Sequence, residues 1–216
     1  MKELKRYKYP RTYHLPYSPG VASDDLKLQD DKRFKDNFIV ATVKMDGENA
    51  TIYSDGYYHA RSLDSKHKHY HSWLLNYIPQ ITDKIPDGWR ICGEYMFAEH
   101  SIFYNNLDSY FYVISVWNEH NNCLSWNDTV EFCKNNDLTL VKEVYRGIYD
   151  REIIKNIAEE QISKGQEGLV IRSLKGFSYN TFCSNTAKYV RSSHVKTNKH
   201  WAFGIITKNQ LKLRKE

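Results

Sequence analysis

Lys44-Met45-Asp46-Gly47-Glu48-Asn49 gathers a lysine, two acids, a glycine and an amide into one short string, K-x-D-G-x-N. A lysine amine is protonated and inert at neutral pH, with an unperturbed pKa of about 10.4. It becomes a nucleophile only where burial or a cationic neighbour removes its proton. Taken alone, the string reads equally well as a hairpin turn flanked by charge. Four further residues offer what a lysine attacking phosphorus would need. Arg61 carries a planar, permanently charged guanidinium suited to a phosphate. Glu94, behind Gly93, offers a carboxylate to ribose hydroxyls. Glu167 is a hard oxygen ligand for Mg²⁺, directly or through water. Lys188 offers its charge to an α-phosphate, and as a second amine it would lower the pKa of Lys44. Each has a plainer reading: Arg61 a solvated charge, Glu94 a turn cap, Glu167 a neutraliser of Lys164, Lys188 an edge charge that blunts aggregation. Their joint presence in this order points to nucleotidyl transfer through a lysyl–AMP phosphoramidate.

The elements around these residues read as a largely antiparallel α+β domain. Strands are expected at 38–43, 89–95, 110–117, 168–172 and 187–191. A hairpin is expected from 50–53 to 57–61, around Ser54-Asp55-Gly56. Helices are expected at 70–78, after Ser125 and after Asp150, the last two residues acting as N-caps. Three prolines and a glycine make 7–25 loop-like.

Composition narrows the class. The 216 residues are 41% hydrophobic and 26% charged, with seventeen tyrosines and a net charge of +5, a balance that permits a packed core and a polyanionic ligand. No apolar run approaches a membrane span, and Met1-Lys2-Glu3-Leu4-Lys5-Arg6 has no apolar stretch of a signal peptide. Cys92, Cys123, Cys133 and Cys183 contain no C-x-x-C pair and read as reduced thiols of a cytoplasmic protein.

The ordered set resembles the covalent nucleotidyltransferase superfamily of ATP-dependent DNA ligases, RNA ligases and mRNA capping enzymes. Lys44-Met45-Asp46-Gly47 looks like its motif I, Arg61 like motif Ia and Gly93-Glu94 like motif III. Glu167-Gly168-Leu169-Val170 looks like motif IV and Lys188-Tyr189-Val190-Arg191 like motif V. Within it, Asn49 is similar to the asparagine of the RNA ligases, including the RNA-editing ligases. Tyr9-Pro10-Arg11-Thr12 and His194-Val195 are similar to a bacterial and phage branch. The resemblance implies an ATP-grasp-like adenylation domain of antiparallel sheets flanked by helices, spanning 1–216 without an OB-fold domain. It implies catalysis by Lys44 and Lys188, with ATP held by Val43, Asn49, Arg61, Glu94, Ile114, Val170, Glu167, Lys188 and Arg191. It further implies Mg²⁺ or Mn²⁺ at Glu167 and RNA partners with 3′-OH and 5′-phosphate ends, which a separate kinase or phosphatase would prepare.

The chain departs from the family pattern in two places. Motif V usually reads K-x-K, whereas Val190 stands at the second lysine and Arg191 follows. An aromatic that stacks on adenine usually precedes motif IV, whereas Ile114 stands there, with Tyr112 the alternative. His67, His69 and His71 alternate with lysines and read as a metal site, a basic loop near a phosphate, or a solvated loop. Lys196, Lys199, His200 and the basic tail 208–216 read as a backbone-tracking surface or a solvated end. Two other functions stay open, a minimal DNA ligase and a non-catalytic nucleic-acid-binding module.

Overall fold

The run Phe-Ile-Val-Ala-Thr-Val-Lys forms β1 (Phe38–Lys44), buried from Ile39 to Val43, so both of its faces are covered. The computed structural model of the chain describes residues 5–65, 68–192 and 206–213. Along it follow β2 (Glu48–Tyr53), β3 (Tyr58–Ala60), α1 (Ser72–Ile81), β4 (Arg90–Tyr95), β5 (Phe111–Trp117) and β6 (Asn122–Cys123). Then come α2 (Trp126–Asn135), β7 (Glu143–Ile148), α3 (Arg151–Ser163), β8 (Gly168–Ser173), β9 (Phe177–Ser178), α4 (Phe182–Asn185) and β10 (Thr186–Val190). The strands form a four-stranded sheet, β10-β8-β1-β7, and a six-stranded sheet, β3-β2-β4-β5-β6-β9. Their pairings are antiparallel, as the α+β reading expects.

Alternation along β1 explains why two layers can cover it. Ile39 and Ala41 join Leu169, Ile171, Ala187 and the α3 residues Ile154 and Ala158 in one cluster. Val40 instead packs with Trp126 and Val141, where Ile114 of the second sheet also packs. On the far side, Leu74, Ile78 and Ile81 of α1 cover Ile52, Ile91 and Val113. Each such side chain contributes about 1.5–3 kcal/mol by leaving water.

The expected caps form: Ser125 Oγ accepts from Asp128 N at 3.1 Å and Asp150 Oδ1 from Ile153 N at 2.9 Å. Ile153 itself is 42% exposed, because the α3 face buried on the sheet runs through Ile154 and Ala158. The helix expected at 70–78 begins at Ser72, after a 3₁₀ turn over His69–His71, and continues through Pro79 to Ile81. β7 is a strand that its sequence barely announces, since an edge strand buries little and shows weak alternation.

Two segments read as loose chain are tied down. The loop-like N-terminal stretch runs along β10, with Lys188 N donating to Tyr13 O and Leu15 N to Lys188 O, both at 2.8 Å. The basic tail lies against the body over 208–213, where Asn209 is fully buried. Residues 214–216, Lys66, His67, His194, Val195, Lys196, Lys199 and His200 lie outside the described residues. No described helix is long and apolar enough to cross a membrane.

Candidate active site

Strand register brings the dispersed motif residues together. Lys44 ends β1 opposite Gly168, and Lys188 on β10 stands opposite Val170 on the same neighbour, β8. Asn49 on β2 stands opposite Glu94 on β4 in the second sheet. The two sheets enclose a cavity of about 200 Å³, lined by Val43, Lys44, Asn49, Arg61, Glu94, Ile114, Val170 and Lys188. Glu167 and Arg191 are not among its lining residues. Glu167 instead touches Lys44, its Oε2 2.5 Å from Nζ, and Arg191 N holds the Glu167 carbonyl at 3.0 Å.

The K-x-D-G turn is held at several points. Asp46 is buried, its Oδ2 accepting from Ser101 N at 2.8 Å and Ser101 Oγ at 2.7 Å. Asp46 N donates to Tyr104 Oη at 3.1 Å, and Gly47 N to Glu94 Oε1 at 3.2 Å. A side chain at Gly47 would bring a Cβ within 2.6 Å of Met96 Sδ and Tyr95 O, so the close approach of β4 requires glycine. Asn49 donates to Gly93 O at 3.4 Å, while its buried Oδ1 has no partner among the described residues.

Charge in the site runs opposite to one expectation. Burial alone would lower the Lys44 amine, but the charges of Glu167 and Glu94 and the bond to Glu167 outweigh it, and the pKa is raised. Lys44 therefore rests protonated. Lys188, expected to depress Lys44, pairs with Asp25 Oδ1 at 3.3 Å, and burial lowers its own pKa. Behind it, His14 Nε2 lies 3.2 Å from Asp25 Oδ2 and Nδ1 lies 2.9 Å from Ser18 Oγ. Burial and the Lys188 charge push His14 down to about 4, so it is neutral at pH 7. Burial, then the charge of neighbouring Arg11, lowers Arg61.

Glu94 carries the clearest pH signature. Burial pushes it up to about 7, against the pull of Lys44. Its folded pKa lies above the unfolded value, so the folded state binds more protons between about pH 4.5 and 7. Stability is expected to fall across that window as pH rises, by on the order of 3 kcal/mol, and to level off above it. Urea midpoints from pH 5 to 8 measure the slope, and Glu94→Gln should flatten it; an equal slope in the variant refutes the assignment.

Val43, Val170 and Ile114 give the cavity an aliphatic wall. Tyr112 is buried in the α1-side core and its hydroxyl accepts from Asp108 N at 2.8 Å, away from the cavity lining. Residues the sequence reading did not single out also line the cavity, among them Asp25 and Arg172. Arg172 is buried, donates to Ile114 O at 2.8 Å and leaves Nε without a partner among the described residues. Only the Glu-Gly-Leu-Val-Ile-Arg run signalled it, and nothing local signalled Asp25. His71 is no loop residue: it is buried, with Nε2 2.7 Å from Glu48 Oε2 and Nδ1 3.2 Å from Tyr58 Oη. Among the described residues, no three His, Cys, Asp or Glu side chains cluster as a metal site.

A model of the RNA ligase family matches residues 37–190. An archaeal ATP-dependent RNA ligase shares the fold at TM-score 0.56 and 14% identity, over 85% of this chain and 48% of that one. A mutant Naegleria gruberi RNA ligase solved with ATP and Mn aligns at 0.54 and 14%, over 86% and 61%. An Aquifex aeolicus protein assigned as an ATP-dependent DNA ligase aligns at 0.60 and 20%, over 86% and 50%. The chain thus spans about half to three-fifths of the length of these structures. A search among curated proteins finds no match.

Proposed function

The chain belongs to the RNA ligase family, and on that premise we propose that it is an ATP-dependent RNA ligase working through a Lys44–AMP adduct. The observation that carries the reading is Lys44 Nζ, at a cavity that Arg61, Glu94 and Lys188 also line, 2.5 Å from the Glu167 carboxylate. Lys44 Nζ gives up a proton, for which Glu167 Oε2 is the adjacent acceptor, and attacks the α-phosphorus. The N–P bond forms, the bond from that phosphorus to the bridging oxygen breaks, and pyrophosphate leaves. An RNA 5′-phosphate oxygen then displaces Lys44, giving an AMP-capped strand, and a 3′-OH displaces AMP.

Arg61 and Lys188 hold phosphate charge during these steps. Val43, Val170 and Ile114 flank the base, and Glu94 takes ribose hydroxyls. Asn49, whose Oδ1 has no partner among the described residues, offers an acceptor to the bound strand or nucleotide. The buried Glu167 carboxylate beside Lys44 would supply a hard oxygen ligand to Mg²⁺ or Mn²⁺, which would neutralise phosphate charge when bound. That the Naegleria enzyme was solved with ATP and Mn supports this pairing. The proposed unit spans residues 1–216.

Incubation with Mg²⁺ and ATP labelled on its α-phosphate is expected to give an acid-labile, alkali-stable adduct, absent from Lys44→Ala. No adduct on the wild type, as a binding module would behave, or label persisting on Lys44→Ala, sinks the reading. The Aquifex likeness keeps DNA as the competing substrate. Preference for 5′-phosphorylated DNA over RNA ends would replace RNA ligase by DNA ligase while leaving the adduct chemistry intact.

A further inference from the structure

We propose that Asn209, far from Lys44 in sequence, is a positioning residue for that nucleophile, acting through Tyr104 and Ser101 on the Asp46 turn. The inference rests on the ligase reading above for its activity readout.

Residues 207–212 zip onto the irregular segment between β4 and β5. Glu99 N donates to Thr207 O at 2.8 Å, Asn209 N to Phe97 O at 2.9 Å and Gln210 N to Tyr104 O at 2.8 Å. Leu107 N donates to Gln210 O at 3.0 Å and Lys212 N to Leu107 O at 2.7 Å. At the centre, Asn209 has no exposed surface and every polar group matched. Its Nδ2 donates to Met96 O at 2.8 Å and Ala98 O at 3.2 Å, and its Oδ1 accepts from Tyr104 N at 2.9 Å. Tyr110 Oη donates to its carbonyl at 2.7 Å. A buried amide with both donors and its acceptor engaged fits one orientation only, and its loss strands the buried carbonyls of Met96 and Ala98 and the part-buried amide of Tyr104.

The segment so fixed meets the Asp46 turn at its other end. Tyr104, whose amide is bonded by Asn209, presents the hydroxyl that accepts Asp46 N at 3.1 Å. Ser101, between Ala98 and Tyr104, supplies both donors to Asp46 Oδ2. Asp46 is two residues from Lys44 in a turn that no strand ladder holds. The position of Nζ against Glu167 is thereby coupled to residue 209. Asn209 touches no reacting atom, so its effect falls on the rate of the chemical step rather than on ATP binding.

The experiment measures self-adenylation over a range of ATP concentrations in Asn209→Ala, Tyr104→Phe and the double variant. Asn209→Ala is expected to slow adenylation at least about tenfold, within the ~100-fold that a 1 Å misplacement can cost. The KM for ATP should stay within about twofold. Tyr104→Phe should be slower in the same direction, and the double variant no slower than Asn209→Ala alone, because both cut one connection. Wild-type rates per folded molecule in Asn209→Ala, or losses that simply multiply in the double variant, overturn the proposal. If Asn209→Ala does not fold, Tyr104→Phe carries the test, since it keeps every Asn209 bond and removes only the acceptor for Asp46 N; an unchanged rate overturns it. A wild type that forms no adduct sinks the ligase reading instead. Amide hydrogen exchange at Asp46 and Ser101 then decides this one: faster exchange in Asn209→Ala supports it and unchanged exchange overturns it.

Discussion

Glu167→Gln is expected to lower folding stability by about 3 kcal/mol, the lower end of what breaking a buried ion pair costs. Glu167 is almost wholly buried and Lys44 largely so, with side-chain exposures of 4% and 22%. Glutamine keeps the shape but removes the charge, leaving a protonated amine in a site that disfavours it. Glu94 offsets part of the loss, since it also faces Lys44. The double variant Lys44→Met/Glu167→Gln should therefore be more stable than Glu167→Gln alone, because the unpaired protonated amine is then gone. The pH behaviour follows from the same pair. Lys44 has a raised pKa in the folded state, so its contribution is fully present below the unfolded value near 10.5 and is lost only as pH rises through the folded one. Glu94, pushed up to about 7, offsets the loss only when ionised, so the deficit of Glu167→Gln should be larger at pH 6 than at pH 8. Urea unfolding of the variants at both pH values measures it, and a single variant as stable as the wild type would mean the pair does not form in solution.

That resting state marks the line between what the residues announce and what only the fold supplies. Lys44, Gly93-Glu94 and Glu167-Gly168, at or next to strand ends, and Lys188, in the middle of β10, are legible because each lies within a few residues of its own pattern. Register then does the rest, as the pairings of β8 with β1 and β10 do here. The chemistry between them was not legible. A cation in the sequence suggests a depressed lysine, but which charges reach it depends on distance. In the fold, carboxylates outweigh Lys188 at Lys44, and Lys188 itself pairs with Asp25 from a stretch with no periodicity at all. Asn209 and His71 were opaque for the same reason: one sits in a basic tail, the other in a histidine-lysine alternation, and both are buried by contacts far away in the chain. The choice between Ile114 and Tyr112 turned on which side chain faces the cavity, and the cavity side falls to Ile114.

The glycine of Glu167-Gly168 shows how tightly that register is drawn, and Gly168→Ala is expected to be the most damaging single-methyl change in the site. Gly168 pairs with Lys44 on one side and Val190 on the other, with φ at +154°. A Cβ there would lie 1.9 Å from Tyr189 O and 2.9 Å from Tyr189 C. Both atoms are backbone of β10, so no side chain can swing aside; β10 itself must move away from β8. A loss above about 4 kcal/mol is expected, the range reserved for strain that packing cannot absorb. If the variant folds, the displacement falls on Lys188, one residue from Tyr189, and on Glu167 beside the substitution, so adduct formation should drop by about 100-fold or more. Gly165→Ala is the control. Gly165 also has a positive φ, +83°, but nothing stands within 4 Å of a Cβ there. It should cost only the about 1–2 kcal/mol of left-handed backbone and leave the adduct rate intact. Comparing urea midpoints and adduct rates for the two alanines separates backbone strain from strand separation, and equal costs would mean that β8 and β10 are not held as close as their register requires.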